Sequence, residues 1–304
     1  MIRLVSLFLL ALVCLIHLGC DGNSAKNKLS VVSTTGMIHD IVLNIAGDIV
    51  QAKSLMGPGI DPHLYRASES DVLSLANADI IFYNGLHLEA KLADVLKDMS
   101  SRSTVVAVTD SINKDKLRMP KEFEGYYDPH VWFDVRLWIL VTNLIEETLI
   151  QQDPKHKEVY QNNANRYREK LTALDAYLIQ QTNLLPINQR VLVTAHDAFG
   201  YFGDAYGFEV YGLQGISTQS EAAIYEVDQL ANFIAIRKIP AIFVESSISK
   251  RQILAVQAAV KAKGWNVSIG GELFSDALGD ANSSAGTYIG MLKHNITTIV
   301  NGLK

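Results

Sequence analysis

One stretch divides this chain into two halves, residues 153–186, which read DPKHKEVYQNNANRYREKLTALDAYLIQQTNLLP. Between its two prolines, Pro154 and Pro186, no glycine or proline occurs, and apolar residues recur at an intermittent helical spacing. The Asp and Pro at its start are residue types typical of the N-cap and first-turn positions of a helix. The stretch therefore predicts one helix over residues 154–184, which at about 1.5 Å per residue would be about 46 Å long.

On both sides of this helix, short β-rich runs alternate with amphipathic helical runs. Strands are predicted over residues 29–34, 50–56, 79–83, 104–108, 190–195, 209–213, 241–244 and 265–269. Ser68 is expected to cap the helix over residues 67–76. Strands that alternate with helices pair in parallel through right-handed crossovers. The sequence therefore predicts an α/β protein with two lobes, residues 28–152 and 187–304, joined by the linking segment 153–186.

The first 27 residues are expected to lie outside this fold. A basic residue followed by an apolar run over residues 5–16 is typical of a secretory signal, and the run is too short to span a membrane. The junction HLGC, residues 17–20, is similar to a bacterial lipobox, although its His stands where an aliphatic residue is usual. We expect a lipoprotein signal peptide at residues 1–19, a lipidated Cys20 and a tether at 20–27. The alternative is an ordinary signal peptide with a chance Cys.

Composition sets the class of protein. The chain has 304 residues, 48% hydrophobic and 19% charged, which is typical of a globular protein. A formal charge of −5 gives no basic excess for phosphates, so we expect no nucleic-acid partner. The 2 Cys exclude a Cys₄ zinc site and a disulfide framework, whereas the chain contains 8 His. The histidines are therefore the first residues to test for chemistry.

Two of these histidines stand in the same motif. Residues 61–65 read DPHLY and residues 128–132 read DPHVW, in each case Asp-Pro-His followed by an aliphatic and an aromatic residue. Proline restricts its own backbone and that of the residue before it, so each His leaves a stiff turn. An Asp two residues upstream can accept the second imidazole N–H or cap the turn. One copy is more typical of a plain turn, but two copies favour metal ligation by His63 and His130.

Further candidates follow predicted strands of the second lobe, at the edge where sites form in α/β sheets. His196 comes directly after the strand RVLVTA, where a lone His is structural as often as functional. Asp276 and Asp280 follow the glycines of GGELFSDALGD (270–280), which permit an irregular loop. Either aspartate is suited to bind a metal or to cap a helix, and spacing does not choose between them. Three imidazoles with one carboxylate suit Zn²⁺, Mn²⁺ or Fe²⁺.

Longer motifs in the chain resemble a known family. They are GPGIDPHLY (57–65), NADIIFYNGLHLE (77–89), DPHVWFDV (128–135), VLVTAHDAFGYF (191–202), YGFEVYGLQGIST (206–218), AIFVESS (241–247) and GGELFSDALGD (270–280). With them the chain resembles the periplasmic metal receptors of bacterial ABC importers, solute-binding protein family 9, and within it the TroA-type zinc/manganese receptors. The resemblance implies two Rossmann-like α/β lobes joined by one long rigid α-helix, with the metal in the interlobe cleft. It implies His63, His130, His196 and Asp276 as ligands, and so favours Asp276 over Asp280.

The resemblance implies a receptor and not an enzyme. Such a protein captures a divalent transition metal, Zn²⁺ or Mn²⁺ with Fe²⁺ as a further option, and delivers it to the permease of its ABC importer. We expect a monomer in the periplasm or at the outer face of the cytoplasmic membrane, held there by the lipid on Cys20. A secreted metallohydrolase is one alternative, but the chain lacks a His-Glu-x-x-His motif and a nucleophile elbow. An adhesin is the other, and no residue specifies a host partner.

Two residues keep alternative interpretations. His39 follows the first predicted strand, near a position where some zinc-type members of the family place a ligand; a solvated or capping His is the alternative. Zinc specialists also often carry a His-rich acidic loop, whereas residues 110–127 here contain no His. Glu245, just after AIFV, is expected either to orient an imidazole or to be a buried hydrogen-bonded carboxylate.

The remaining histidines are expected to have other roles. His87 should line the cleft or make a satisfied polar contact, His156 should lie in an exposed first turn, and His294 should be structural. The long rigid helix predicts only a small tilt between the lobes. Metal gain and loss would then involve local movement of the second lobe's loops, with His196 and Asp276 leaving the metal first.

Overall fold

The computed structural model describes residues 28–123 and 125–304. The predicted signal peptide, Cys20 and the tether lie outside these residues. Within the described part of the chain, α-helices alternate with parallel strands, as the sequence predicts. None of the helices described is long and apolar enough to cross a membrane.

The first half of the chain builds one parallel sheet. Its strands are β1 (Ser30–Ser33), β2 (Gln51–Ser54), β3 (Ile80–Tyr83) and β4 (Thr104–Ala107), arranged in the order β2-β1-β3-β4. Its helices are α1 (Gly36–Ala46), α2 (Glu69–Ala76), α3 (Ala93–Met99) and α4 (Val135–Gln152). Every strand pair is parallel, so the carboxyl ends of all four strands lie at the same edge of the sheet.

The linking helix begins later than predicted. Residues Pro154–His156 form a 3₁₀ turn, and α5 covers Lys157–Thr182, 26 residues or about 39 Å. The Asp153 carboxylate does not cap this helix, because it accepts a hydrogen bond from the Tyr160 hydroxyl (2.8 Å) and lies 2.6 Å from His156 Nδ1. The prediction of one long helix joining two lobes is confirmed, but its predicted first turn is wrong.

The second half contains two parallel strand pairs. β5 (Val191–His196) pairs with β6 (Glu209–Gln214), β7 (Ala241–Glu245) pairs with β8 (Ser268–Leu273), and β5 lies beside β7. The helices of this half are α6 (Gly200–Tyr206), α7 (Ile224–Arg237), α8 (Arg251–Ala262) and α9 (Tyr288–Leu303). His196 is therefore the last residue of a strand, where the sequence had placed it just after one.

The glycines at positions 270 and 271 lie inside a strand and do not form the irregular loop expected there. A Cβ on Gly270 would lie 2.5 Å from the Phe243 ring, so only glycine allows this close packing of β8 on β7. Gly271 has a φ of 140°, in the region that favours glycine, and the β7–β8 register shifts nearby. The strand consequently extends to Leu273, and the loop with Asp276 begins after it.

The largest hydrophobic core is shared by the two halves. It contains Trp138 of α4, Tyr167 and Leu171 of α5, and Tyr288 of α9, none more than 1% exposed. The Trp138 and Tyr288 rings stack with centroids 5.3 Å apart. The linking helix α5 packs against α1, α4 and α9, so both halves are fixed to the same helix by core contacts. This packing sets the separation of the lobes and hence the width of the cleft between them.

Substituting the core of the linking helix should destabilise the whole protein. Leu171→Ala is expected to lower the free energy of unfolding by about 2–5 kcal/mol, because it leaves a cavity in the shared core. Ile179 lies on the same helix but is 46% exposed. Ile179→Ala should therefore change the free energy of unfolding by about 0.5 kcal/mol or less. Chemical denaturation of both metal-free variants measures the difference, and equal losses would contradict this placement of Leu171.

Candidate metal centre

Four side chains from separate segments come together between the two halves: His63, His130, His196 and Asp276. One nitrogen or oxygen atom of each lies within 4.8 Å of the corresponding atoms of the others. His63 and His130 belong to the two Asp-Pro-His turns of the first half, His196 ends β5, and Asp276 follows β8. All four are buried, with at most 2% exposure. The structure thus assembles the four residues implied by the family resemblance.

The polar atoms of these side chains converge on one point. His130 Nε2 lies 3.3 Å from His63 Nε2 and 3.4 Å from His196 Nε2. Asp276 Oδ1 lies 3.4 Å from His130 Nε2, and Asp276 Oδ2 lies 3.2 Å from His196 Nε2. Four ligand atoms placed tetrahedrally about 2.1 Å from a zinc ion are separated by about 3.4 Å. The four observed separations are close to this value, and all four ligand atoms lie within 4.8 Å of one another, so the arrangement fits a four-ligand metal site.

The Asp of each Asp-Pro-His motif holds the turn that carries the histidine. Asp61 Oδ1 accepts the backbone N–H of His63 at 2.8 Å, and Asp128 Oδ1 accepts that of His130 at 3.0 Å. Asp128 Oδ1 also lies 2.7 Å from His130 Nδ1. A proton on Nδ1 donated to this carboxylate leaves Nε2 free to bind a metal. The capping role predicted for the motif is present in both copies, and the orienting role is present at His130.

His196 is oriented from a neighbouring strand. Glu245, the last residue of β7, accepts the backbone N–H of His196 through Oε1 at 2.9 Å. Its second oxygen, Oε2, lies 2.6 Å from His196 Nδ1. Glu245 is only 1% exposed. Both interpretations of this residue therefore hold, since it is a buried hydrogen-bonded carboxylate and it orients an imidazole.

Sequence reasoning missed a further support of the second Asp-Pro-His turn. The Asn84 side chain donates a hydrogen bond to the carbonyl of Pro129 at 3.0 Å, directly before His130. Glu89, which is buried, accepts the backbone N–H of Asn84 at 2.7 Å. Asn84 and Pro129 are 45 positions apart, so no local pattern connects them. The sequence pointed to this contact only in that both residues belong to motifs that carry the resemblance to the family.

Burial and neighbouring charges set the pKa values of the metal-free site. Burial lowers the pKa of His63 to about 3. The pKa of His130 is raised to about 9. Burial acts to lower this pKa, but the carboxylates of Asp128 and Asp276 together have the larger effect. The pKa of His196 is raised well above its usual value, because Glu245 and Asp276 outweigh the effect of burial. The pKa of Asp276 lies well below its usual range. Burial acts to raise this pKa, but the imidazoles of His196 and His130 together have the larger effect.

The Asp276 carboxylate shows that the site fits a cation. Both of its oxygens are buried, and neither has a hydrogen-bond partner. A buried ionised carboxylate needs positive charge close by, which comes from the imidazoles of His130 and His196 or from a bound cation. Among the described residues, the donors around this carboxylate are imidazole nitrogens, a set that suits Zn²⁺, Mn²⁺ or Fe²⁺.

Other sequence candidates lie outside this group of four. Asp280 is exposed on the surface, and His39 lies in α1 and lines a separate cavity of about 240 Å³. An auxiliary role for His39 stays a prediction. The remaining histidines have other surroundings. His87 lines the cavity between the halves, as one of its two interpretations predicted, and faces the Tyr126 ring. His156 lies beside Asp153, and His294 Nε2 lies 3.0 Å from the Glu272 carbonyl.

Known proteins share this fold over its full extent. Residues 31–302 match the protein family described as zinc-uptake complex component A, periplasmic. The chain belongs to this family. It is 51% identical to the zinc-binding protein TroA of Treponema pallidum, over 94% of this chain and 92% of that protein. It is 45% identical to the manganese-binding lipoprotein MntA of Bacillus subtilis, over 99% of each.

A solved structure supports the same assignment. The structure described as periplasmic zinc binding protein TroA from Treponema pallidum has a TM-score of 0.88 and 52% identity with this chain, covering 90% of this chain and 98% of that one. The predicted resemblance and the mixed α/β fold are confirmed. Members of the zinc-uptake component A family are solute-binding receptors. The individual ligands of this member rest on the geometry of its own site.

Removing the orientation of His196 should weaken metal binding. Glu245→Gln keeps an acceptor for the backbone N–H but presents an amide N–H to Nδ1, so the ring loses its correct tautomer or turns. We expect metal affinity to fall about 10- to 100-fold, as for other supporting groups of metal ligands. Competition with a chelating dye measures the affinity. Glu209→Gln, at an exposed ion pair with Arg237, is the matched control and should leave affinity unchanged. Equal affinities for both variants would contradict the role of Glu245.

Proposed function

We propose that this chain is the extracytoplasmic receptor of an ABC importer, which captures a divalent transition metal and delivers it to the membrane permease. The observation that carries the proposal is the buried convergence of three imidazole nitrogens and one carboxylate, which lie within 4.8 Å of one another. Family membership supports the receptor role. The similarity to zinc-binding TroA and manganese-binding MntA supports Zn²⁺ or Mn²⁺ as the cargo.

In this proposal the metal is bound by His63, His130, His196 and Asp276, with His39 as an auxiliary candidate. All four ligands are protein side chains, so no coordination position is reserved for a substrate. Catalytic zinc sites keep a water molecule in an open position, whereas closed sites bind or store the metal. The closed ligand set therefore favours a binding protein over the alternative of a metallohydrolase.

The ligand set constrains the cargo but does not select one metal. Imidazole and carboxylate bind Zn²⁺ more tightly than Mn²⁺ or Fe²⁺ by the Irving–Williams order, whatever the physiological cargo. The two oxygens of Asp276 face different imidazoles, so one or both can coordinate. Elemental analysis of the protein purified from its own host, without added metal, would identify the cargo directly.

The remaining parts of the proposal concern location and organisation. Residues 1–19 export the chain, and lipid on Cys20 holds it through the tether 20–27 at the outer face of the cytoplasmic membrane. The similar protein MntA is described as a lipoprotein, which supports this anchoring. The receptor acts as a monomer with lobes 28–152 and 187–304 on either side of the linking segment.

Removal of one ligand should abolish tight metal binding. His130→Ala removes an imidazole whose Nε2 lies 3.3–3.4 Å from an atom of each of the other three ligands. We expect affinity for Zn²⁺ and Mn²⁺ to fall by more than about a hundredfold, beyond the loss of a supporting group. His294→Ala, at a histidine outside the site, is the control and should still bind one metal ion per chain. Equilibrium dialysis with elemental analysis measures both. One tightly bound ion per His130→Ala chain would overturn the proposed function.

Metal binding should release protons. At pH 7 the metal-free His130, with a pKa of about 9, and His196, with a raised pKa, carry protons, whereas His63, with a pKa of about 3, is already neutral. Coordination requires neutral imidazoles, so affinity should rise as the pH rises from about 6 to about 9. We expect about two protons released per metal ion at pH 7, one from each of these two imidazoles. Calorimetry in buffers of different ionisation enthalpy measures this number; an affinity independent of pH with no proton release would contradict the three-imidazole site.

A further inference from the structure

One hydrogen bond joins the two halves at the margin of the metal site. Thr218, in the loop after β6, donates through Oγ1 to Asp61 Oδ2 at 2.6 Å. The other oxygen of Asp61 accepts the backbone N–H of His63 at 2.8 Å. A single carboxylate therefore holds the turn that carries His63 and ties that turn to the second half.

The opposite side of the site is joined by contacts buried in the core. The Trp132 indole N–H donates to the carbonyl of Ser275 at 3.0 Å, next to Asp276. The Tyr288 hydroxyl donates to the carbonyl of Trp132 at 2.7 Å. Trp132 is 1% exposed and Tyr288 is 0% exposed. Since these groups cannot separate without opening the core, His130 and Asp276 stay fixed relative to each other.

The contact between Asp61 and Thr218 is less completely buried, since Thr218 is 9% exposed and Asp61 is partly exposed. Ile60 and Leu64, on either side of the first Asp-Pro-His motif, are 39% and 50% exposed. The residue after Thr218, Gln219, is also exposed. This contact therefore has exposed residues on both sides, whereas the contacts of Trp132 and Tyr288 lie inside the core.

A cavity between the halves reaches the same side of the site. Its volume is about 580 Å³, and its lining includes His63 and Pro129 from the first half and Ser217 and Gln219 from the second. Ser217 and Gln219 flank Thr218 in sequence, so displacement of this loop would widen the cavity next to His63. Among the four ligands, His63 alone lines this cavity.

We infer that Thr218 is a positioning residue for metal retention, which keeps the His63 turn closed on the second half through Asp61. When this hydrogen bond breaks, His63 is the first ligand to leave the metal, and the cavity beside it is the exit. The inference rests on the proposed function, because it requires a metal at the four-ligand site. The sequence favoured His196 and Asp276 as the first ligands to leave. Glu245 holds His196 and Trp132 holds the residue before Asp276 through buried contacts, so we expect His63 to leave the metal before those two ligands.

The test measures how fast bound Zn²⁺ passes from the loaded full-length protein to excess EDTA. Thr218→Val keeps the β-branched shape and removes the donor, so release should become about tenfold faster, as expected for losing a hydrogen bond to a charged acceptor. Thr218→Ser restores the hydroxyl and should release at close to the wild-type rate. Thr148→Val, at a buried threonine that bonds within α4, is the matched control and should not change the rate. Thr218→Ala provides a second deletion of the same hydroxyl.

A second substitution separates positioning from a general loss of stability. If Thr218 acts through Asp61, Thr218→Val should add no further acceleration in an Asp61→Ala background. The same acceleration in both backgrounds, or a wild-type release rate for Thr218→Val and Thr218→Ala, would overturn the inference while leaving the receptor function intact. Failure of the wild-type protein to bind Zn²⁺ at all would instead overturn the proposed function, and this inference with it.

Discussion

The rest of the site depends on one buried carboxylate, Asp276, whose two oxygens face the imidazoles of His130 and His196 and have no other polar partner. An ionised group in this position needs positive charge close by. In the metal-free site, protons on the two imidazoles supply that charge, and in the loaded site we expect the metal ion to supply it. Binding is then an exchange of protons for a cation in a preformed pocket.

This exchange requires the ligands of both halves to be held at fixed separations. The carboxylates of Asp128 and Glu245 hold the Nδ1 edges of His130 and His196, so that both rings present Nε2 to the same point. The core shared through α5 holds the two halves together behind these ligands. His63 differs, because Asp61 holds its backbone and the cavity between the halves lies beside it. The site therefore has one side held by buried contacts, and we infer that it opens on the His63 side.

Local sequence patterns predicted the parts of this structure that depend on neighbouring residues. Ser68 caps α2 with Asp71 in a capping box, as expected from the residue types. The aspartates of both Asp-Pro-His motifs cap the turns they begin, which the motif alone suggested. The alternation of strands and helices predicted the α/β class, since that pattern is set by hydrophobic periodicity within each element.

Features set by contacts distant in sequence could not be predicted in the same way. The prediction for the first turn of the linking helix was wrong because the Asp153 carboxylate accepts a hydrogen bond from Tyr160, and this interaction competes with capping. The extent of β8 depends on the Phe243 ring packed over Gly270. The choice of Asp276 over Asp280 came from the family resemblance, because loop geometry decides which carboxylate faces the histidines. The hydrogen bond from Thr218 to Asp61 joins residues 157 positions apart, so neither local sequence pattern predicts it.

The most direct test is a crystal structure of the zinc-loaded protein with anomalous diffraction measured at the zinc edge. We expect one ion between the two halves, about 2.0–2.2 Å from Nε2 of each of three imidazoles and from at least one Asp276 oxygen. The three imidazoles are those of His63, His130 and His196. An ion bound elsewhere, with these four side chains left uncoordinated, would contradict the assignment of the metal centre.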